Sequence, residues 1–421
     1  MKAQRTLPPS AAPIEWRDLI EGLVGLVHPK VTMDRLQAEF REYFGVKHVW
    51  FVSSGKAALT LILRALHGIS GRKLVVVPGY TCFSVPSAVV RAGLSVQLCD
   101  IDPLSFEPDF TQLAEIADSE VLCVLVTHLL GIGVDVPRVQ ELCRQRGIFV
   151  VEDVAQAFGG DRDGQSFGTM GDVSFLSFGR GKNITCGSGG AILTNDDRIG
   201  EAVARAYAQL PEETLVGALK NWLEVAATQV LINPSRYWLP ASLPFLKLGE
   251  TKFYTDFPVT RMDSLRAGLL RRWKERLASS TTRRVAHAER VRQTLDQYGV
   301  QTIKPSGRGR SVYLRLPVLM RSKWAKAALC RMSVEQGLGV SSMYPSSIQG
   351  IAELRESLSD QSVPQSAVIA EQLVTLPTHE FLSDADLVKI CAAVQGAHQM
   401  TACSLEAGEG QSRIPDLPRI S

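Results

Sequence analysis

The chain has 421 residues, 45% of them hydrophobic and 21% charged, with a formal net charge of +3. That length suits a large domain with a smaller one, and the composition excludes a disordered chain. The small net charge supplies no basic field for nucleic acid. The cysteines are scattered, with no CxxC pair and no Cys/His cluster. That pattern excludes a disulfide framework and a metal site and points to reduced thiols in the cytoplasm. Met1 to Pro13 has no signal-peptide core, and no stretch reaches the ~18 uninterrupted apolar residues of a membrane span. The nearest, 215–232, is broken by Lys220, Asn221, Glu224 and Gln229.

After an N-terminal segment (1–30), residues 31–195 alternate apolar strand-like runs with helical ones. VWFV (49–52) precedes a helix starting near Gly55, and KLVVVPG (73–79) reads as a buried strand. VLCVLVTH (121–128) leads through a helical run to IFVVED (148–153). VSFLSF (173–178) and GAILTN (190–195) bracket a Gly-rich loop. Such alternation predicts an α/β fold of three layers, a mainly parallel sheet with helices on both faces. Ligands of open sheets sit at the carboxyl ends of strands, where Ser54, His128, Asp153 and Ser177 fall. The first domain is expected to extend to 250, including an apolar insertion at 214–250. From 251 to 400 long helices, a strand at 312–318 and a helix near 384–396 predict a smaller α+β domain. The polar tail, 401–421, is expected to be disordered.

Four pieces carry chemistry. SSGKAALTLIL (53–63) is a strand end, a Gly turn and a helix start, whose unpaired N–H groups suit a phosphate. Alone it reads as an ordinary cap more readily than as a site. VVEDVAQAFGG (150–160) places Asp153 at the end of a buried strand. A carboxylate there needs a partner, either a protonated pyridine nitrogen or a helix start or arginine. SFLSFGRGKNITCGSGG (174–190) holds Lys182 in a loop between two buried strands. A lysine in a dry pocket becomes a nucleophile toward an aldehyde, although most loop lysines are simply solvated. PGYTCFSVPSAV (78–89) puts Cys82 and Phe83 where a flat ring stacks, unless they are core. A phosphate cradle, an acid and a loop lysine in this order match the needs of pyridoxal 5'-phosphate (PLP).

The same segments resemble the DegT/StrS family of sugar aminotransferases, which share the fold of aspartate aminotransferase. SGKAAL, VPGYTCFSV, DIDPLSFEPD, THLLGIGVDV, VVEDVAQAFGG, GDVSFLSFGRGKN and GSGGAILTND follow the family's order, with YPSS (344–347) and VTLPTH (374–379) near the end. The resemblance implies that Lys182 carries PLP as a Schiff base and that Asp153 holds its pyridine nitrogen protonated. Gln156 lies on the ring's hydroxyl side, and Ser177, Ser54, Gly55 and Lys56 hold the phosphate. Lysine, where dehydrating relatives carry histidine, favours transamination. Glutamate is the implied amino donor and a nucleotide-linked keto-sugar the acceptor, within a homodimer. His128, Arg315 and Tyr344 are candidate substrate contacts.

The chain also departs from the family. Cys82 replaces the stacking aromatic, leaving Phe83 or His128 to cover the ring, and Lys56 replaces a threonine. The Asn-Tyr-Arg segment through which a second subunit reaches the phosphate is Val259-Thr260-Arg261. The insertion reads as a subunit or domain interface before membrane-surface contact, because Arg/Lys flanks are sparse. The rival readings are another PLP enzyme on this fold, a dehydratase or lyase, and a non-catalytic regulator that binds PLP or a sugar nucleotide.

Overall fold

Strands buried on both faces have no use for polar alternation, and the apolar runs of the first half assemble into one sheet. The structure, a computed structural model, describes residues 5–12, 14–243, 249 and 251–400, so the expected tail lies outside the described residues. The first half contains α1 (Trp16–Val27), α2 (Pro29–Phe44), β1 (His48–Val52), α3 (Gly55–Ser70), β2 (Leu74–Pro78), α4 (Ser84–Arg91), β3 (Ser95–Cys99), α5 (Phe110–Ile116), β4 (Val121–Thr127), α6 (Val136–Arg144) and β5 (Phe149–Asp153). Then follow β6 (Asp161–Arg162), β7 (Gln165–Ser166), β8 (Val173–Ser177), β9 (Gly190–Thr194), α7 (Asp197–Ala208), α8 (Leu215–Leu231) and α9 (Trp238–Ala241). The rest comprises α10 (Ser264–Leu269), α11 (Trp273–Gln297), β10 (Gly309–Arg310), β11 (Leu316–Leu319), α12 (Lys323–Gln336), α13 (Pro364–Gln372), β12 (Leu373–Leu376) and α14 (Asp384–Gln399).

The main sheet has seven strands in the order β1-β9-β8-β5-β4-β2-β3. It is parallel except for β9, which runs antiparallel to both β8 and β1. The register pairs Thr127 with Asp153, Asp153 with Phe175, and both Ser177 and Val52 with Gly190. The carboxyl ends of β4, β5, β8 and β1 therefore finish along one edge. One face is covered by α3, with Leu59, Ile62 and Leu66 fully buried against Val75, Val77 and Ile192. The other packs Phe40, Phe51, Phe178 and Trp273 into an aromatic core.

The smaller body surrounds the antiparallel pair β11–β12, on which α11, α12 and α14 bury Val291, Leu329 and Val394. Two sequence expectations shift here. Leu265, Ala267, Leu270 and Leu277 share the large core, so the passage between bodies falls within α11 instead of at 250. The strand expected at 312–318 is only Leu316–Leu319, because Tyr313 takes a φ of 42°. Its neighbours instead bond across the seam: the N–H groups of Val312 and Leu314 donate to the carbonyls of Gly131 and Leu130, at 3.0 and 2.9 Å.

Within the insertion, α8 turns Asn221 and Val225 inward and leaves Leu215, Val216, Leu219 and Leu223 exposed. Among the described residues no helix is long and apolar enough to cross a membrane.

Helix α14 opens with a reciprocal cap. Ser383 Oγ accepts from Asp386 N–H, and the Asp386 carboxylate accepts from Ser383 N–H at 2.9 Å. Arg5 adds a forked pair to the same carboxylate, at 3.2 and 2.7 Å. Burial alone would raise the Asp386 pKa, but these bonds together hold it near about 2. Because the folded value is depressed, its stabilisation is present above about 3.9 and is lost as pH falls through about 2. Asp386→Asn should lower stability near neutral pH by about 1 kcal/mol, the usual worth of such a cap. In denaturant melts that difference from wild type should disappear in strong acid.

Candidate active site

The loop between β8 and β9 is closed at its base by Phe178. Its N–H donates to Gly189 O (2.8 Å), and its carbonyl accepts from Cys186 N–H (3.1 Å) and Thr185 Oγ1 (2.9 Å). Gly181 and Gly187 take φ values of 74° and 87°, which residues with a Cβ adopt at a cost. Between them Lys182 is half-buried along the cleft. Burial lowers its pKa, opposed by Cys82 and Asp153 and reinforced by the positive Arg315. The amine is thus biased toward its neutral, nucleophilic form.

Asp153 ends β5 and is 5% exposed; its Oδ1 accepts from Ala155 N–H at 2.9 Å. Burial raises its pKa, while that N–H, Lys182 and His128 pull it down. Glu152, one residue earlier, is fully buried and accepts from the N–H groups of Gly168 (2.8 Å), Met170 (2.7 Å) and Gly171 (2.6 Å). His128 Nδ1 accepts from Val134 N–H (3.1 Å), so Nε2 carries the proton and donates to Glu152 (3.1 Å). The imidazole also stacks on Phe167 at 4.2 Å. Both of its nitrogens and one face are therefore committed behind β5.

Gln156 links the two bodies: its Oε1 accepts from Leu130 N–H (3.0 Å) and its Nε2 donates to the Tyr344 hydroxyl (2.8 Å). Burial holds the Tyr344 phenol protonated, with Cys82, Tyr80 and Asp153 near enough to add to that effect. Arg315 enters from the smaller body. Its only polar contact within hydrogen-bonding range among the described residues is Met343 Sδ at 3.8 Å. Burial lowers its pKa, and no carboxylate pairs with it among the described residues. Cys82 is half-buried and accepts from Ser84 Oγ at 3.0 Å, whereas Phe83 is buried with Val85 and Ala88.

At the edge of β1, Ser54 caps α3 by accepting from Ala57 N–H at 3.1 Å. The first-turn amides of Gly55 and Lys56 have no carbonyl four residues back. Gly55 lies against Ser177: a Cβ there would come within 2.9 Å of the serine Cβ. The ammonium of Lys56 sits over the Tyr254 ring at 3.6 Å and near Phe257 at 4.7 Å, also bonding the Tyr254 hydroxyl. Thr260 pairs with Ser53, its N–H donating to Ser53 Oγ at 3.2 Å. Arg261 is spent on the carbonyls of Tyr207 and Ala208, at 3.3 and 2.7 Å.

The model of the DegT/DnrJ/EryC1/StrS aminotransferase family matches residues 27–221 and 249–395. The chain belongs to this family. It is 31% identical to GDP-perosamine synthase of Vibrio cholerae over 195 residues, 46% of this chain and 52% of that one. The chain thus spans about half the length of that relative. A longer alignment, 24% identical over 370 residues, covers 88% of this chain and 91% of a UDP-2-acetamido-2-deoxy-3-oxo-D-glucuronate aminotransferase of Pseudomonas aeruginosa. Helicobacter pylori PseC, an aminotransferase involved in the biosynthesis of pseudoaminic acid, superposes with a TM-score of 0.75. That superposition covers 94% of this chain and 99% of PseC, at 16% identity, a likeness of fold.

The residues present fit PLP, the cofactor of this family. Asp153 is a buried carboxylate that lacks a cationic hydrogen-bond partner among the described residues. Lys182 is an amine whose pKa burial lowers, and the Gly55–Ser177 cradle has room only while residue 55 lacks a Cβ. Two parts of the site carry little signal in sequence. Glu152 looks like a strand residue beside Asp153, and Tyr80 looks like core until it accepts from Tyr344 N–H at 3.3 Å. Gly55→Ala should weaken PLP binding about tenfold, equivalent to ~1.4 kcal/mol, with the apoprotein still folded. Titration of the apoprotein by absorbance reads this directly.

Proposed function

We propose that the chain is a cytoplasmic PLP-dependent aminotransferase that moves an amino group from glutamate to a nucleotide-linked keto-sugar in glycan biosynthesis. The observation that carries this reading is the half-buried Lys182 amine held within charge range of the buried Asp153 carboxylate beside the Gly55–Ser177 cradle. Nucleotide-sugar chemistry in the names of the V. cholerae and P. aeruginosa relatives supports the substrate class. Free cysteines throughout the described residues support a reducing compartment.

PLP supplies an aldehyde that condenses with amines and a ring that takes up electrons. Asp153 would face the ring nitrogen and favour its protonated form. With the cofactor bound, the Lys182 amine would be the group placed to take the proton from the donor's Cα and to hand a proton back when the acceptor is aminated. Glutamate leaves as 2-oxoglutarate and the keto-sugar as an amino-sugar. Ser54, Gly55 and Ser177 would hold the phosphate, with Lys56 at its edge. Cys82 and Phe83 would flank the ring and Gln156 would meet its hydroxyl side, while His128 is bound to Glu152 behind the strand. Arg315 and Tyr344 contact substrate, the guanidinium pairing with the donor's carboxylate. The working unit is a homodimer.

An absorption spectrum of the holoenzyme should show a near-visible band that L-glutamate bleaches, and Lys182→Ala should neither cycle that band nor turn over. A band untouched by glutamate would turn the assignment toward a dehydratase, a lyase or a regulator. Asp153→Asn should slow the glutamate half-reaction about a thousandfold, read by stopped-flow. Arg315→Met should raise the KM for glutamate about thirtyfold, or ~2 kcal/mol for a lost charged hydrogen bond.

A further inference from the structure

The loop that bears Lys182 does not hold itself. It contains Gly179, Gly181, Gly187 and Gly189, so ordering it is entropically expensive. Its own bonds lie chiefly at its base, and both polar atoms of the buried Asn183 amide lack a partner.

Two elements grip it from opposite sides. Helix α8 lies directly on it: Asn221 Nδ2 donates to Cys186 O at 3.0 Å, and Glu224 pairs with Arg180. A Cβ at Gly187 would come within 2.5 Å of Val225 and 2.6 Å of Asn221. From the other side comes an extended strap, residues 5–12, in which Ser10 Oγ donates to Gly181 O at 2.8 Å. The strap is itself anchored. His379 donates to Pro8 O (2.8 Å), Arg284 to Ala11 O, and Leu7 N–H to Gly337 O (2.9 Å). Thr6 N–H donates to Pro234 O at 2.9 Å, which ties the strap to the segment leaving α8. The strap, Glu224, Val225 and Pro234 all lie outside the residues that the family model matches.

We propose that the strap and α8 form a two-sided brace that positions Lys182, with Ser10, Asn221 and Glu224 as positioning residues. This rests on Lys182 being the reactive amine. The physical reason is preorganisation: proton transfer between two carbon atoms tolerates little displacement of the amine, and a glycine-rich loop supplies none of the rigidity required. The inserted helix is thus a part of the active site in this chain.

The test uses the full chain, first as apoprotein and then with PLP. In hydrogen–deuterium exchange of the apoprotein, Ser10→Ala and Glu224→Ala should each speed exchange in 179–189 about tenfold, with β5 amides unchanged. With PLP bound, each should lower kcat about tenfold and change the KM for glutamate less than about twofold. Ser10→Thr, which keeps the hydroxyl, should restore both values, and Glu224→Gln should fall between. Folded alanine variants with wild-type loop exchange and wild-type kcat would overturn the brace. Turnover by Lys182→Ala would instead remove the reactive amine while leaving the exchange result standing, so the two failures are distinguishable.

Discussion

Two adjacent carboxylates end the buried strand β5, and their opposite fates organise the site. Glu152 is surrounded by donors: three backbone N–H groups and the imidazole of His128. A carboxyl group so well bonded is tolerated in the interior and fixes the turn 168–171 behind the sheet. Asp153 receives one backbone N–H and is pushed toward protonation by burial. A strand alternates its faces, so the first carboxylate faces the packed side and the second the cleft. The satisfied residue sits beside one whose carboxylate, with a single backbone donor, keeps acceptor capacity to spare.

The seam between the bodies obeys a related constraint. Gly131 has a φ of 85°, and a Cβ there would meet Val312 and the backbone of Tyr313 within 3 Å. That close approach carries the 312–315 stretch across the edge of the main sheet and delivers Arg315 to the cleft. The bond from Gln156 to Tyr344 then spans the same seam with side chains. The positions of Arg315 and Tyr344 relative to Lys182 therefore depend on a glycine distant from both in sequence.

Much of this was legible in the residues. Val- and Leu-rich runs marked the buried strands, and the ordered motifs around Asp153 and Lys182 marked the family. What stayed hidden depends on contacts distant along the chain. Residues 312–315 have strand composition but are bent by their docking on Gly131. His128 and Lys56 were candidate site residues in sequence, yet one is bound to Glu152 and the other to Tyr254 and Phe257, pairings that spacing does not reveal. Ser10 sits in an unremarkable Pro-rich stretch and gains its role only where the strap meets Gly181.

An arginine without a carboxylate is also a standing electric field. Arg315 lies within charge range of Lys182, and Asp153 is the carboxylate that acts on that amine among the described residues. In a water-poor cleft such a charge is weakly screened, so it attracts anions before any contact is made. Phosphorylated and carboxylated ligands are all anionic, and capture of each will be faster in dilute buffer than in concentrated salt. An unpaired guanidinium thus acts over a distance as well as on contact.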